Sequence, residues 1–402
     1  MWPYFNVHDM KRVLYAFPYN PITLHSGCQT RAYTLLRYFK DRGMKVDLIS
    51  RQGDWERISP EGMEAIRNSG LVEKAWFWFR KPLKKNPITY FFNYKLKELL
   101  FKLKLKPVKG AVPNHVNSYS QQLFNDILQH NSYDYIIISY IYWADLIKNN
   151  PYIGQAVTIL DTHDFMSSQH QRDKGFRLGP ALGDEVRRLS LFDQVWSLSQ
   201  EETYFFGQFV KGETWFHPVV VEKAPPAAAD TPEKFDLIYV ASDNRNNMIS
   251  CEWFFNQVYP LLPATIRICV IGKITAHVPS GLKNVTLVPF AASLSEYYDQ
   301  SRVVLCPMLA GTGVKVKVIE AMSFGLPVVC NNHGLDGLPN KSSNGCLATE
   351  NPAEFAEYIQ QLLNDPVFYA QQSAFAATCF KNNFSEEIAY RQLDAALGIK
   401  PS

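Results

Sequence analysis

The feature that most constrains the fold is residues 306–339, which read CPMLAGTGVKVKVIEAMSFGLPVVCNNHGLDGLP. The pattern predicts the end of a buried strand, a glycine-bearing loop, one short helix and a second buried strand. Gly311 and Gly313 let backbone N–H groups approach a ligand closely, and the following helix directs its positive end at the loop. The segment could therefore hold a diphosphate, although a glycine loop before a helix also occurs as an ordinary turn in α/β proteins.

The spacing along the expected helix sorts its side chains into two faces. Gly313, Lys317 and Glu320 fall at i, i+4 and i+7, which predicts that they share one face, with a ribose expected one turn beyond the diphosphate. Gly325 and Pro327 are expected to end the helix. The opposite face would be a core stripe of Val314, Val318, Ala321 and Met322. The loop matches neither the P-loop nor the dinucleotide-binding fingerprint.

This segment resembles the C-terminal signature of the large group-one family of retaining glycosyltransferases, which have the GT-B fold. That family shows Glu-x7-Glu, then EAMA-x-G-x-PVV and a glycine-containing turn; this chain reads EAMSFGLPVV from Glu320 and GLDG from Gly334. Thr312 stands where the first glutamate is expected, a departure shared by relatives that read G-x-G-x-x-x-K-x-x-EA. The resemblance implies that residues 311–313, Lys317 and Glu320 bind the diphosphate and ribose of the donor.

Strand and helix signals alternate along both halves of the chain, which predicts an α/β fold of two Rossmann-like, doubly wound domains facing a cleft. We expect an N-terminal acceptor-side domain over residues 1–218 and a Pro- and Ala-rich linker over 219–235. A nucleotide-sugar-binding domain would follow over 236–384. The family resemblance implies that a last helix, 385–402, returns to the N-terminal domain.

A second motif, Asp161-Thr162-His163-Asp164, directly follows the expected strand 157–160. Ligands of α/β proteins bind where parallel strands end, although a structural histidine held by a neighbouring aspartate would read the same way. The motif resembles the His-Asp pair of the same family, which implies that His163 contacts the donor sugar. Asp164 would fix the tautomer of His163 or contact acceptor.

Two more loops are candidate binding segments. Gly27 lies in the loop after the first strand, where many family members have two glycines, so it is either a donor or acceptor contact or an ordinary turn residue. Arg245 follows the first strand of the second domain, where relatives clamp the diphosphate with an Arg and a Lys. This chain has no nearby lysine, but Asn247 followed by Trp253-Phe254 matches a subset of relatives.

Residues 73–110 hold eleven Lys and Arg against two Glu, although the whole chain has a net charge of only +3. Nine aromatic residues interleave with these charges. We interpret the segment as an insertion that contacts an anionic bilayer surface. A solvated basic helix with core aromatics is the alternative; nucleic acid is disfavoured because no binding-module signature accompanies the charge.

Seven scattered cysteines without a C-x-x-C pair predict reduced thiols in a cytosol. The first residues lack a basic start followed by an apolar run, and no stretch approaches about 20 apolar residues, so we expect neither a signal peptide nor a membrane span. The expected location is cytoplasmic, peripheral on the inner face of the plasma membrane. No Asp-x-Asp motif lies in a suitable loop, so we expect no metal or other cofactor.

Together these observations favour a glycosyltransferase that moves a sugar from a nucleotide-diphosphate sugar to a glycan or lipid-linked acceptor. Retention of configuration and a role in bacterial surface polysaccharide synthesis are implied by the resemblance. Two alternatives stay open: a nucleotide-sugar 2-epimerase on the same fold, and a non-catalytic binding protein that kept the fold.

Overall fold

The computed structural model describes residues 10–23, 26–52, 58–79, 82, 84, 86–105, 108–171, 173–221, 233–311 and 313–400. The chain divides into two compact units, Met1–His217 and Pro218–Ser402. Each unit contains its own hydrophobic core around its own parallel sheet. The α/β class and the two Rossmann-like domains expected from the sequence are confirmed.

The N-terminal unit is built on a seven-stranded sheet in the order β3-β2-β1-β4-β5-β6-β7, and every pair is parallel. The strands are β1 (Arg12–Ala16), β2 (Lys45–Gln52), β3 (Lys74–Phe79), β4 (Tyr135–Ser139), β5 (Val157–Asp161), β6 (Gln194–Ser197) and β7 (Glu213–Phe216). The helices are α1 (Gly27–Asp41), α2 (Pro60–Asn68), α3 (Pro87–Tyr90), α4 (Leu96–Leu105), α5 (Ser118–His130), α6 (Met166–Gln169), α7 (Leu178–Leu189) and α8 (Gln200–Gly207). A π-helical turn, Phe91–Lys95, joins α3 to α4.

The C-terminal unit is built on a six-stranded sheet in the order β10-β9-β8-β11-β12-β13, again with every pair parallel. The strands are β8 (Phe235–Val240), β9 (Ile268–Ile271), β10 (Val285–Val288), β11 (Ser301–Cys306), β12 (Val328–Cys330) and β13 (Cys346–Ala348). The helices are α9 (Arg245–Trp253), α10 (Ser295–Tyr298), α11 (Val316–Ser323), α12 (Pro352–Asn364), α13 (Pro366–Asn383) and α14 (Glu386–Ala396).

Continuous apolar strands explain why these sheets are parallel and covered on both faces. Ile136, Ile137 and Ile138 on β4 are consecutive and all fully buried, which only a strand with helices on both sides allows. Helix α5 begins at Ser118 because Asn117 accepts hydrogen bonds from the N–H groups of the first turn in a capping box. Local capping and the buried strand pattern therefore agree with the tertiary fold.

The sequence predicted some element boundaries correctly and missed others. Helix Ser118–His130 and strand Val285–Val288 are confirmed. Strand β3 was not expected, because its run KAWFWF reads as part of the basic aromatic segment; it pairs with β2 at the edge of the sheet. Strand β7 was also missed.

The expected helical face that included Gly313 is wrong. Helix α11 begins at Val316 with Lys315 as its N-cap, so Gly313 and Val314 belong to the preceding loop. The positive φ of Gly313, +75°, is incompatible with an α-helix and leaves the loop free to turn before the helix starts. Val318, Ala321 and Met322 do form the buried stripe, and the helix ends before Gly325 as expected.

The expected domain boundaries and the return of the last helix to the N-terminal domain stay predictions. Residues 222–232, most of the expected linker, lie outside the described residues. Helix α14 packs against α13 within the C-terminal unit. Across the described residues, no helix is both long enough and apolar enough to cross a bilayer.

Gly272, directly after β9, is a position that only glycine can occupy. Its φ is +103°, and a Cβ there would lie 2.3 Å from the carbonyl oxygen of Ala241 at the end of β8. We expect Gly272→Ala to lower the free energy of unfolding by about 3 kcal/mol or more, because strain and a backbone clash add. Gly281→Ala is the control, since φ is +82° there but the space is open; it should cost only about 1 kcal/mol. Equal losses in denaturant titrations of the two variants would contradict this explanation.

Candidate functional site

Polar and aromatic side chains gather at the carboxyl ends of the central strands of the N-terminal sheet. The order of strands reverses between β1 and β4, which is where open α/β sheets bind ligands. Tyr19 follows β1, Tyr140 follows β4, and His163 follows β5. The ring of Tyr140 contacts both of the others, with centroid distances of 6.0 Å to Tyr19 and 4.2 Å to His163. The structure therefore brings three successive βα loops together.

A buried ion pair fixes this edge of the sheet. Arg31 on α1 reaches Asp161, the last residue of β5, with Nε–Oδ1 at 2.8 Å and Nη2–Oδ1 at 2.6 Å. Its Nη1 donates to the carbonyl of His217 at 2.8 Å. Burial alone would raise the pKa of Asp161, but the charge of Arg31 and the contact with His163 lower it well below its ordinary value. Asp161 is therefore a carboxylate throughout the physiological range.

The imidazole of His163 is held between Asp161 and Tyr140. Nε2 lies 3.1 Å from Asp161 Oδ2, and the ring stacks on that of Tyr140 with only 10° between the planes. The approach to Asp161 lacks hydrogen-bond geometry, and within the described part of the chain neither ring nitrogen has a hydrogen-bond partner. Backbone strain accompanies this arrangement, because φ is +62° at His163 and +69° at Tyr140. Such conformations cost about 1–3 kcal/mol and concentrate at functional sites.

Two further carboxylates that the sequence analysis missed lie near this edge: Glu202, which interacts with Asp164, and Glu185, which interacts with Glu202. Glu185 on α7 accepts the N–H groups of Met166 and Ser167 at 2.9 and 2.7 Å, which caps the short helix α6 after the His-Asp pair. Burial raises its pKa. Burial and the Asp164 charge raise the pKa of Glu202 to about 8, against the effect of an N–H bond from Phe165. The edge therefore carries one carboxyl group that is protonated near neutral pH.

A second histidine, His170, also lies near this edge. Its Nε2 is 2.8 Å from the hydroxyl of Tyr142, and its Nδ1 is 2.6 Å from Asp173 Oδ2. Tyr142 stacks on Tyr140 at a centroid distance of 6.0 Å, so this Tyr–His–Asp chain contacts the same aromatic cluster as His163. The sequence offered a signal in the spacing H-x-x-D, but nothing in it placed Tyr142 beside them.

In the C-terminal unit, the two loops expected to bind diphosphate meet at the switch point between β8 and β11. A Cβ on Gly311, whose φ is +111°, would lie 3.1 Å from Nδ2 of Asn246 on α9. Leu309 N also donates to Ser250 Oγ on α9 at 3.2 Å. The glycine loop is thus packed against the N-terminal half of α9, so it approaches that helix as closely as glycine allows.

Lys317 and Glu320 lie one turn apart on α11, in a half-buried environment. Within the described residues the Lys317 ammonium is buried without a hydrogen-bond partner, 5.6 Å from the ring centroid of Tyr239. The pKa of Lys317 is lowered, mainly by burial and also by the charge of Lys315, although Cys306 and Glu320 oppose this. Burial raises the pKa of Glu320, opposed by the hydrogen bond from the Tyr298 hydroxyl at 3.3 Å and by Lys317.

A buried ammonium without a hydrogen-bond partner is unfavourable, and an anion in the loop would relieve this cost. Lys315, which the sequence analysis missed, adds a second positive charge at the start of α11. It is buried, donates to Gly313 O at 2.5 Å and lies 3.6 Å from Asp336 Oδ2. Asp336 offsets the charge of Lys315, so Lys317 and the start of α11 are the features here that suit an anion.

Of the other predicted residues, two lie at the start of a helix and one lies outside the described residues. Arg245 is exposed as the first residue of α9, next to the Asn246 that contacts the glycine loop. Gly27 is the first residue of α1, with Ser26 as N-cap, so it lies on the helix that carries Arg31. Thr312 lies outside the described residues. Among those that are described, no group of three or more His, Cys, Asp or Glu side chains could hold a metal ion.

Residues 234–365 match the family model described as "Glycosyl transferases group 1". This range runs from the start of β8 to the end of α12 and includes every donor-site residue predicted in the C-terminal unit. The match covers about a third of the chain and lies within the C-terminal unit.

Relatives are similar over parts of the chain. An uncharacterized glycosyltransferase of Haemophilus influenzae is 34% identical over 93 residues, 22% of this chain and 26% of that protein. The amylovoran biosynthesis glycosyltransferase AmsK of Erwinia amylovora is 31% identical over 107 residues, 25% of this chain and 26% of the relative. The chain thus aligns with about a quarter of the length of each.

The fold is similar over nearly the whole chain. The crystal structure of HepE from Anabaena in complex with UDP and glucose has a TM-score of 0.63 and 15% identity, and the match covers 97% of this chain and all of that one. The expected GT-B fold is confirmed.

His217 provides a pH-dependent test of the Arg31–Asp161 environment. Burial and the Arg31 charge lower the pKa of His217 from 6.5 to about 3. Because the unfolded chain binds this proton near pH 6.5 and the folded protein does not until about pH 3, acidification favours unfolding. Between pH 6.5 and 5 we expect wild type to lose about 2 kcal/mol relative to His217→Gln.

The stability of wild type alone would not isolate His217, because Glu202 also titrates between pH 6.5 and 5. The raised pKa of Glu202 makes the folded state more stable as the pH falls, which opposes the effect of His217. Both proteins contain Glu202, so the difference between them reports on His217. Urea titrations across this range measure the difference. His130→Gln, at an exposed position, serves as the control and should run parallel to wild type. A His217→Gln curve parallel to wild type would show that His217 is not buried in its neutral form.

Proposed function

We propose that this protein is a retaining glycosyltransferase that uses a nucleotide-diphosphate sugar. It would transfer the sugar to a glycan or lipid-linked acceptor in bacterial surface polysaccharide synthesis. The observation that carries the proposal is the buried, unpartnered ammonium of Lys317 behind a glycine loop and a helix N-terminus. The group 1 domain match supports the reaction class.

The proposed chemistry follows from where negative charge develops. When the bond between the sugar and the diphosphate breaks, charge accumulates on the phosphate oxygens of the leaving group. Lys317, the backbone N–H groups around Gly311 and Gly313, and the start of α11 would stabilise that charge. Lys317 is preorganised for this role, because its ammonium is already desolvated before the donor binds.

The remaining roles rest on the resemblance and on local geometry. Glu320 would accept hydrogen bonds from the ribose hydroxyls, with Tyr298 holding its carboxylate. His163, fixed by Asp161 and Tyr140, would contact the donor sugar, and Asp164 the acceptor. Arg245 and Thr312 would add contacts to the diphosphate, and Gly27 would allow close approach of donor or acceptor.

Donor and acceptor classes are supported by what the similar proteins bind or make. HepE was solved with UDP and glucose, and AmsK is named for amylovoran biosynthesis. A 44.6 kDa protein from a Klebsiella pneumoniae cps region is 25% identical over 128 residues. The anomeric proton coupling of the product, measured by NMR, would show whether the configuration of the donor sugar is retained.

Two other functions remain as rivals. A nucleotide-sugar 2-epimerase on this fold would alter the donor with no acceptor present, whereas a transferase would not. A non-catalytic protein would bind nucleotide without turnover. The charge pair of Lys317 and Glu320 favours catalysis, since binding alone does not require a desolvated ammonium.

We expect Lys317→Ala to lower the rate of sugar transfer by about 10²–10³-fold, the effect of removing one preorganised electrostatic donor.

The donor class is identified by measuring the thermal unfolding of the protein with UDP, GDP, ADP, CMP and dTDP, with and without magnesium. A nucleotide at 100 times its Kd adds about 2.7 kcal/mol to wild type. This gain should not require magnesium, because we propose a metal-independent site, and it should shrink in Lys317→Ala.

Lys283→Ala, at an exposed site, is the matched control and should behave as wild type. The Lys317 variant should fold normally, because it removes a buried charge that lacks a partner. Wild-type turnover by Lys317→Ala would exclude Lys317 from stabilising the leaving group. A requirement of magnesium for nucleotide binding would contradict the proposed metal-independent site.

We further propose that the protein works at an anionic membrane surface, through the helical segment 87–105, which comprises α3, the π-turn and α4. This segment is apolar toward solvent: Ile88, Phe91, Phe92, Leu96, Leu99, Leu100 and Leu103 are 39–69% exposed. Lys95, Lys97, Lys102 and Lys104 accompany them. A solvent-facing row of large apolar residues flanked by lysines is typical of helices that lie in a bilayer interface.

The alternative, a basic helix with core aromatics, describes the segment only in part. Trp78 is buried and Trp76 and Phe101 pack against the core, but Phe91 and Phe92 are more than half exposed.

Phe92→Ser/Leu99→Ser should reduce binding to vesicles of phosphatidylcholine and phosphatidylglycerol by at least tenfold, because two large apolar side chains no longer enter the interface. Sedimentation with the vesicles measures it. Val367→Ser, which removes an 81% exposed apolar side chain from the C-terminal unit, should leave binding unchanged. Wild-type levels of binding in the double variant would exclude this face as the membrane contact.

A further inference from the structure

The other face of the 87–105 segment forms a cavity that the proposed reaction does not use. Tyr90, Tyr94 and the first turns of α5 line a cavity of about 260 Å³ that is open to solvent on one side. The cavity is lined by Asn86, Tyr94, Lys97, Tyr119 and Gln122 among others. A second groove of about 390 Å³ continues along α4 and α5 and shares Lys97, Ser118 and Gln122 with the first.

The segment is attached to α5 at a defined point. Glu98 is buried and accepts the N–H of Ser118 at 2.8 Å, and Lys102 lies 3.3 Å from its other oxygen. This contact fixes which side of the helix faces α5 and which faces solvent. The tyrosines consequently line the cavity, and Leu96, Leu99 and Leu103 lie in the exposed row, whereas Leu100 borders the second groove.

The lining has a specific chemical character. Tyrosine rings offer apolar faces for the C–H groups of a polyol, whereas Asn and Gln side chains both donate and accept hydrogen bonds. The rings of Tyr90 and Tyr94 lie with centroids 5.2 Å apart. Lys97 supplies a positive charge where the two grooves meet, and Lys104 a second one further along; Asp126 is the acidic residue of the second groove. This combination suits hydroxyl groups beside a phosphate.

We propose that this cavity binds the headgroup of a membrane lipid in which a sugar or polyol is joined to a phosphate. The inference rests on the proposed membrane association, because the exposed apolar row would hold the cavity at the lipid surface. The volume is just below the range of about 300–1,000 Å³ usual for ligand pockets, which fits one monosaccharide-sized group. Phosphate would lie against Lys97 and the hydroxyl groups against the tyrosines and amides.

The cavity lies on the side of the N-terminal sheet where the strands end. Gln121 on α5, which borders the second groove, donates to the carbonyl of Leu146 at 3.0 Å, in the turn that follows the carboxyl end of β4, and His163 follows the same end of the neighbouring β5. A lipid headgroup held here would therefore be on the functional edge of the unit rather than on its opposite edge.

The experiment compares phosphatidylcholine vesicles that contain either phosphatidylinositol or phosphatidylserine at equal charge density. Both lipids carry one net negative charge, but only the first has a polyol headgroup. We expect wild type to bind the phosphatidylinositol vesicles about tenfold more tightly. Lys97→Gln should abolish this preference, and Gln122→Ala should weaken it without changing binding to phosphatidylserine.

Lys95→Gln is the matched control, since it removes the same charge from the same segment but does not line the cavity. It should weaken binding to both vesicles by the same factor, about fivefold, and keep the preference. Thermal unfolding of each variant at the wild-type temperature shows that the fold is retained.

Equal binding of wild type to both vesicles, or a preference retained in Lys97→Gln, would overturn the cavity proposal while leaving membrane association intact. Failure of wild type to bind either vesicle would overturn both. The nucleotide thermal shifts test the transferase proposal independently of either result.

Discussion

The guanidinium of Arg31 is the interaction on which the N-terminal functional edge depends. It joins α1 to the end of β5 through Asp161 and to the end of the unit through the carbonyl of His217. Breaking a buried ion pair on one side typically costs about 3–5 kcal/mol, because it leaves an uncompensated charge. Asp161 in turn lies beside Nε2 of His163, and the ring of Tyr140 stacks on the imidazole. The geometry proposed for sugar contact is thus set by a residue that itself contacts no ligand in the proposed mechanism.

The C-terminal unit reaches a comparable rigidity with neutral groups. Asn331, buried after β12, accepts the N–H of Met308 at 3.0 Å and donates to the carbonyl of Thr349 at 3.0 Å. It thereby connects the loops after β11, β12 and β13. This amide therefore holds Met308, just before the glycine loop, in place. Preorganisation of this kind is what lets electrostatic stabilisation act without reorganisation cost.

The two faces of the 87–105 segment show how one helix can serve two purposes. Residues at 90, 94, 98 and 101 face α5, and those at 88, 92, 96, 99 and 103 face solvent, because each set recurs every three or four residues. The buried carboxylate of Glu98 decides which set turns inward. From the sequence alone, the inward set is aromatic except for Glu98 and the outward set is apolar, and a charged residue would be expected to face solvent, so periodicity could not identify the packed face.

The sequence by itself determined the fold class and the helix that carries Lys317 and Glu320. Continuous apolar strands require a sheet covered on both faces, and the EAMSFGLPVV segment places Lys317 and Glu320 on one helix. Tertiary structure decided the rest. Arg31, Glu202 and Tyr142 became candidates only because residues far apart in the chain converge at the carboxyl ends of parallel strands. Burial also changed the charge states of Glu202 and His217, and no local pattern predicts burial of an ionisable side chain. The start of α11 at Val316 likewise depended on a backbone conformation, the positive φ at Gly313, that a helical spacing rule cannot reveal.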